Sequence, residues 1–90
     1  MVFTDEEVKA TILYNLRKKK VIGGVHTHFD TLKRGFPKHC GKEVETVARQ
    51  LIKEGWLLTK PTSYGLQVSL NKVKLIEIEA FIFKILRFNF

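Results

Sequence analysis

Residues 41–71 read GKEVETVARQLIKEGWLLTKPTSYGLQVSLN, and the pattern of this stretch decides the fold. Its first half places apolar side chains three and four positions apart, the spacing of one face of an α-helix. The apolar positions are Val44, Val47, Ala48, Leu51 and Ile52. Gly55 is expected to end this helix, because glycine adopts the left-handed C-cap conformation without steric cost.

The second half of the stretch predicts a β-hairpin. One strand is predicted over residues 56–60 and another over 66–70, in which apolar Leu66, Val68 and Leu70 alternate with polar residues. Residues 61–65, Pro-Thr-Ser-Tyr-Gly, are typical turn formers and are predicted to reverse the chain. A helix, a glycine stop and a hairpin therefore follow one another.

This succession resembles the recognition helix and wing of the winged helix-turn-helix DNA-binding proteins. The resemblance is carried by the pattern Val-x6-Leu-x3-Gly-aromatic-Leu, which here is Val44, Leu51, Gly55, Trp56 and Leu57. It implies an α+β fold, mainly α with a small β-hairpin. Residues 1–90 would form a single domain, with the winged helix-turn-helix over 4–71 and an extra C-terminal dimerisation helix over 72–88. The implied function is sequence-specific binding of double-stranded DNA by a small archaeal- or bacterial-type transcriptional regulator.

The composition is that of a small basic protein. Lysine and arginine number 16 against 9 acidic residues, a formal charge of +7, which favours nucleic acid as a partner before an acidic membrane surface. The single cysteine, Cys40, leaves no internal disulfide and fits a reducing cytoplasm. The apolar C-terminal stretch is too short and too charged to span a membrane. We therefore expect a cytoplasmic, nucleoid-associated protein without a membrane partner.

The start of the first helix is predicted from capping signals in the sequence. Thr4 and Glu7 form a capping-box pattern, and Phe3 and Val8 are placed for a hydrophobic staple. The predicted buried stripe is Val8, Ile12, Leu13 and Leu16. The basic run 17–20 balances the negative end of the helix dipole, and contact of these cations with phosphate is the alternative interpretation.

The segment before residue 41 is predicted to hold a short strand and a second helix. Val21–Ile22 or Val25 is the candidate strand, and Thr27 is expected to cap the helix with an acidic residue three positions on. Gly35 is a plausible C-cap, and residues 37–41 form the turn, so that the third helix begins between 38 and 42. The residues expected to face inward are Phe29, Leu32 and Phe36.

The last helix is predicted to begin after Asn71 and to run towards Arg87. One apolar face consists of Leu75, Ile78, Ile82, Ile85 and Leu86. A second apolar stripe consists of Val73, Ile76, Ala80 and Phe83, and the tail adds Phe88 and Phe90. A helix that is apolar on two sides needs two partners, and the same helix of another copy would give a homodimer. The alternative is a bent helix that packs entirely within one chain.

The predicted DNA site is the outward face of the third helix with its surroundings. The residues expected to contact DNA on this helix are Lys42, Thr46, Arg49 and Gln50, which have the chemistry of base readout. Those expected near phosphates are Lys18, Lys19, Lys20, Lys33, Arg34, Lys38 and His39, with Lys60, Thr62, Ser63 and Tyr64 at the wing. Glu43 and Glu45 count against this prediction. The alternatives are a solvated helix face and a purely structural hairpin.

Other chemistry is weakly indicated. The candidate metal ligands His26, His28, His39 and Cys40 lie close in sequence, but they lack the paired spacing of a zinc site, so no metal is expected. The chain has no G-x-S-x-G, P-loop or G-x-G-x-x-G sequence, so we expect no enzyme activity, no cofactor and no small-molecule ligand. The competing function is that of an adaptor that binds protein through the same fold.

Overall fold

Three α-helices and a three-stranded antiparallel sheet make up an α+β fold over residues 3–87, the part of the chain that the computed structural model describes. The elements are α1 (Asp5–Lys18), β1 (Thr27–His28), α2 (Gly41–Lys53), β2 (Leu57–Thr62), β3 (Gly65–Leu70) and α3 (Leu75–Leu86). Short 3-10 helices lie at Phe29–Lys33, Lys38–Cys40 and Lys72–Lys74. The predicted α+β class is confirmed.

Helix α1 begins with the predicted capping box. The Thr4 hydroxyl accepts the Glu7 N–H at 3.1 Å, and the Glu7 carboxylate accepts the Thr4 N–H at 3.0 Å. The predicted stripe of Val8, Ile12, Leu13 and Leu16 is buried. Ala10, outside this stripe, is fully buried as well, because α1 packs against α3 in addition to α2.

The predicted second helix takes a different form. It is the 3-10 helix Phe29–Lys33, and its N-cap is His28, whose Nδ1 accepts the N–H of Asp30 at 3.2 Å. The prediction that Thr27 is the cap is wrong, because Thr27 pairs with Val68 in the sheet and the cap shifts by one residue. The expected strand at Val21–Ile22 or Val25 is likewise replaced by β1, and Ile22 makes a single bridge to Leu70.

The chain enters α2 where the sequence predicted. The helix begins at Gly41, directly after the 3-10 turn Lys38–Cys40. Phe36 is buried as expected, and its ring meets that of Phe3 edge-on at a centroid distance of 5.7 Å. Gly35 is not the helix cap, which is Arg34; a Cβ at position 35 would lie 2.7 Å from Nδ2 of Asn15 on α1, and that side chain would have to move.

The β2–β3 hairpin is longer than the prediction, and its turn is tighter. Pairing runs from Leu57 with Leu70 to Thr62 with Gly65, so that the turn between the strands is Ser63-Tyr64 and not residues 61–65. The strand order β1-β3-β2 puts β2 at an edge of the described sheet. An edge strand can hold the proline at position 61, because one side of its backbone needs no ladder partner.

Ser69 departs from the predicted alternation on β3. Its side chain is 0% exposed, although its place in the pattern indicated a polar, outward residue. The residues that follow α1 cover this strand, with the Leu70 N–H donating to the Val21 carbonyl at 2.9 Å. The Ser69 hydroxyl donates to the Gly23 carbonyl at 3.1 Å, which satisfies the buried polar group.

Helix α3 completes the core by packing against α1. Ile78 and Ile82 are fully buried, and the other three residues of the predicted inner face, at 75, 85 and 86, are half-buried. Arg17 of α1 contacts Glu79 of α3, with 2.7 Å between Nε and Oε2. The Asn71 side chain accepts the N–H of Val73 and caps the 3-10 turn that leads into the helix, as predicted for the start of this element.

The stop at Gly55 generates a stability prediction. Its φ is +82°, and a Cβ there would meet no atom within 4 Å, so Gly55→Ala strains the backbone in the folded state without a steric clash. A non-glycine residue in the left-handed region costs about 1–2 kcal/mol, and we expect the free energy of unfolding in urea to fall by that amount. Gly24→Ala is the control, because Gly24 also has free space but no positive φ. Equal effects of the two substitutions would contradict the strain argument.

Candidate nucleic-acid interface

Helix α2 presents the predicted outward face. Lys42, Thr46, Arg49 and Gln50 are all exposed, because the burial of the apolar stripe on the opposite side fixes the rotation of the helix. The buried stripe is Val44, Val47, Ala48 and Leu51, as predicted, and Ile52 is half-buried at its edge. These four side chains therefore share one accessible surface.

Glu45 neutralises part of this surface. Its Oε1 lies 3.1 Å from Nη2 of Arg49, and its Oε2 lies 3.4 Å from Nζ of Lys33. The Arg49 guanidinium also lies over the Phe29 ring, 5.3 Å from the centroid. These interactions, that with Arg49 first and that with Lys33 second, hold the pKa of Glu45 below its usual value of 4.5. Two of the predicted DNA-contacting cations are thus tied to one carboxylate.

Tertiary structure brings cations from distant parts of the sequence together in two grooves that share Arg34. Lys18 and Lys19, at the end of α1, line a cleft of about 260 Å³ with Arg34, while Arg34, Lys33 and Lys38 line the groove that leads to the start of α2. We call these five residues the basic band. Within residues 3–87, four of them have no carboxylate partner, and Lys33 is paired with Glu45.

Two of the predicted phosphate contacts stand apart from these grooves. Lys20 is exposed and has a left-handed backbone, with a φ of 59°, at the point where the chain leaves α1. His39 is exposed on the 3-10 turn before α2 and does not line the groove beside Lys38. Neither residue belongs to the basic band.

The other flank of α2 has a different charge. A groove between the beginnings of α1 and α2 is lined by Asp5, Lys42, Glu43, Thr46 and Gln50, together with Val47. Two carboxylates here face one cation. The outward surface of α2 is therefore basic towards the 3-10 helix Phe29–Lys33 and acidic towards the start of α1.

The tip of the hairpin combines exposed side chains with an internally bonded turn. Lys60 and Ser63 are exposed, and the Tyr64 side chain is 85% exposed. The Thr62 hydroxyl donates to the Gly65 carbonyl at 2.8 Å and accepts the Tyr64 N–H at 3.2 Å. Thr62 thus shapes the turn, while the other three side chains are available to a partner.

His28 holds this tip in place, a role that the sequence did not reveal. Its Nδ1 accepts the Asp30 N–H, so that Nε2 carries the proton and donates to the Tyr64 carbonyl at 3.2 Å. Gly65 has a φ of +114°, a conformation that favours glycine, and a Cβ there would also lie 2.8 Å from this Nε2. The contact links the hairpin tip to β1 and thereby to the segment that carries Phe29.

The candidate metal ligands do not form a cluster. His26 Nδ1 lies 3.1 Å from the Gly24 carbonyl, and His28 is engaged at both ring nitrogens. His39 and Cys40 lie on the 3-10 turn before α2, with His39 exposed and Cys40 half-buried. Among residues 3–87, no group of three or more histidine, cysteine or acidic side chains is arranged to hold a metal ion.

The second predicted surface lies on α3. Val73 is 86% exposed, Ile76 is 83% exposed and Phe83 is 45% exposed, and Ala80 is exposed between them. We call these four residues the outer face of α3, although Val73 itself lies on the 3-10 turn that leads into the helix. The other two residues predicted for this interface, at positions 88 and 90, lie outside the described part of the chain.

Comparisons with known proteins gave no match to a family model, a curated protein sequence or a solved structure. Within residues 3–87, no helix is both long enough and apolar enough to cross a membrane.

The Glu45 ion pairs generate a prediction about its pKa. Because the pKa is lowered in the folded protein, the pairs stabilise the fold fully above pH 4.5 and cease to do so as the pH falls through the depressed value. Arg49→Gln should raise the Glu45 pKa more than Lys33→Gln does, as measured by carboxyl ¹³C NMR. Lys42→Gln, on the same helix but outside these contacts, is the control and should leave this pKa nearly unchanged.

Proposed function

We propose that the protein is a winged helix-turn-helix DNA-binding protein, with α2 as its recognition helix and the β2–β3 hairpin as its wing. The order of elements supports this proposal: a first helix, a short strand, a short helical segment, a second long helix and a hairpin. The 3-10 helix Phe29–Lys33 takes the place of the second helix. It buries Phe29 and Leu32 and packs against α2.

The basic band is the observation that carries the proposal. Phosphate contacts supply much of the affinity of DNA-binding proteins, and they come from cations that flank the element in the groove. Four of the five cations in the band are free of carboxylate partners within residues 3–87. Two of them, Arg34 and Lys38, line the groove that leads to the beginning of α2, where the helix dipole also favours a phosphate.

The exposed face of α2 would then meet base edges in the major groove. Lysine and arginine pair with guanine, and glutamine pairs with adenine, so Lys42, Arg49 and Gln50 have suitable chemistry. Arg49 is held by Glu45 and by the Phe29 ring, which limits its freedom to contact phosphates at random. In this proposal, Glu45 lowers non-specific affinity and orients Arg49 towards one position in the groove.

Protein binding through the same fold is the second candidate function. The observation that favours it is the charge of α2 itself, where Glu43 and Glu45 balance Lys42 and Arg49. A surface with both signs of charge fits a protein partner as well as it fits DNA. The absence of any binding to duplex DNA at low salt would favour this function over the first.

Salt dependence tests the DNA proposal. If the basic band and Lys60 contact six phosphates, affinity for a random-sequence duplex should fall roughly 10³-fold between 50 and 200 mM salt. Fluorescence anisotropy with a labelled 25-base-pair duplex would measure this dependence. Affinity that does not change with salt would rule out the proposed phosphate contacts.

Charge removal at two places locates the contacts. The double variant Arg34→Gln and Lys38→Gln should reduce the slope of log affinity against log salt by about 2, roughly one for each lost phosphate contact. The control is Lys53→Gln with Lys72→Gln, which removes the same charge from exposed positions outside the band. An equal reduction of the slope in both double variants would show that binding depends on the net charge of the protein and not on the position of the basic band.

Glu45→Gln tests the proposed role of that carboxylate. The substitution removes the negative charge beside Lys33 and Arg49 while the length of the side chain is kept. We expect affinity for random-sequence DNA to rise several-fold, since each cation gained adds a favourable phosphate contact. Unchanged or weaker binding would show that these two cations do not contact DNA.

A further inference from the structure

Helix α3 has one face in the core and an apolar face in solvent. Ile78 and Ile82 are fully buried, while Val73 and Ile76 of the outer face are more than four-fifths exposed. Apolar surface arranged along one stripe of a helix marks a contact with another helix. The residues that border the stripe indicate which helix would cover it.

We propose that a second copy of the chain covers the outer face, with the two α3 helices antiparallel and a two-fold axis beside Ala80. Alanine at the axis lets the helix backbones approach closely. The rise of about 1.5 Å per residue then brings Ile76 to the height of the partner's Phe83, and the reverse contact follows by symmetry. The largest exposed apolar side chains of the helix would be buried against each other.

The charges beside the stripe complement each other in this arrangement. Glu77 and Lys84 are seven residues apart, so they lie on the same edge of the outer face, and both are exposed. In an antiparallel pair the same edges of the two helices meet, which sets Glu77 against the partner's Lys84 twice. Within residues 3–87, Lys84 has no ion pair, and Glu77 has one with Lys74 at 3.8 Å.

A parallel pair is disfavoured by a contact within the chain. In a parallel pair, the edge that carries Glu77 and Lys84 would meet the other edge of the partner helix, which carries Glu79. Lys84 would then need the partner's Glu79 as its counter-ion. The Glu79 carboxylate is already bonded to Arg17 at 2.7 Å and is two-thirds buried. The antiparallel pair leaves this bond between α1 and α3 intact.

Disulfide trapping tests the orientation. In a Cys40→Ser background, Ala80→Cys should give a covalent dimer on mild oxidation with diamide, because the two residues meet at the axis. Val73→Cys should not, since the two copies would be roughly 20 Å apart in an antiparallel pair. Trapping at both positions would overturn the antiparallel arrangement in favour of the parallel one, and trapping at neither would overturn the dimer.

A charge exchange tests the register and needs no cysteine. Glu77→Lys and Lys84→Glu should each weaken the dimer about tenfold in sedimentation equilibrium, and the double exchange should restore it. Lys53→Glu, exposed on α2, is the control and should leave association unchanged. Failure of the double exchange to restore the dimer would overturn the register.

Removal of the apolar contact tests whether the face is used at all. Ile76→Glu combined with Phe83→Glu should give a folded monomer, because both side chains are exposed in the single chain and their loss leaves its core intact. A wild-type protein that is monomeric at millimolar concentration would overturn the proposal. None of these results depends on DNA binding, so the two proposals fail or succeed separately.

Discussion

The packing of α1 between α2 and α3 is the constraint on which the rest of the structure depends. Ala10 and Leu13 are fully buried on a helix that touches both neighbours. Full burial of a side chain such as leucine contributes about 1.5–3 kcal/mol, and α1 supplies several of these side chains. The rotation of α2 and that of α3 are both set by the need to cover this one helix.

Two exposed surfaces follow from that packing. Because the apolar stripe of α2 faces α1 and the sheet, the opposite side of the helix is exposed to solvent. This side carries Lys42, Thr46, Arg49 and Gln50. With Ile78 and Ile82 turned inward, α3 likewise presents its outer face. The proposed DNA surface and the proposed dimer surface are thus consequences of the same core, although they differ in chemistry.

Electrostatics divides the proposed DNA surface into parts with different roles. Among residues 3–87, the basic band forms no ion pair except that of Lys33 with Glu45, and it suits contacts with phosphates of any sequence. On α2, Glu45 offsets the charge of Lys33 and Arg49, and the lowered pKa of this carboxyl keeps it ionised at an acidity that would protonate an unpaired glutamate. In the proposed complex, the band would supply most of the affinity for DNA, and the side chains of α2 would supply the selectivity for its sequence.

The parts of the fold that depend on local interactions could be predicted from the sequence. The capping box at Thr4, the stripes of α1 and α2, the left-handed stop at Gly55 and the hairpin each involve residues close together in the chain, and periodicity and cap chemistry predict them. The outward residues of α2 followed from the same periodicity. The Glu45–Arg49 pair could have been read from its spacing of four residues.

Contacts between distant segments decided the rest. Thr27 pairs with Val68 in the sheet, so the cap of the 3-10 helix is His28 and not Thr27. Ser69 can be buried because its hydroxyl donates to the Gly23 carbonyl. The meeting of Lys18 and Lys19 with Arg34 likewise depends on how α1 ends against the 3-10 helix Phe29–Lys33. The sequence alone thus determined the helices, the glycine stop and the hairpin, because their causes lie within a few residues. Tertiary structure alone decided which charges meet, because that depends on which surfaces the core brings side by side.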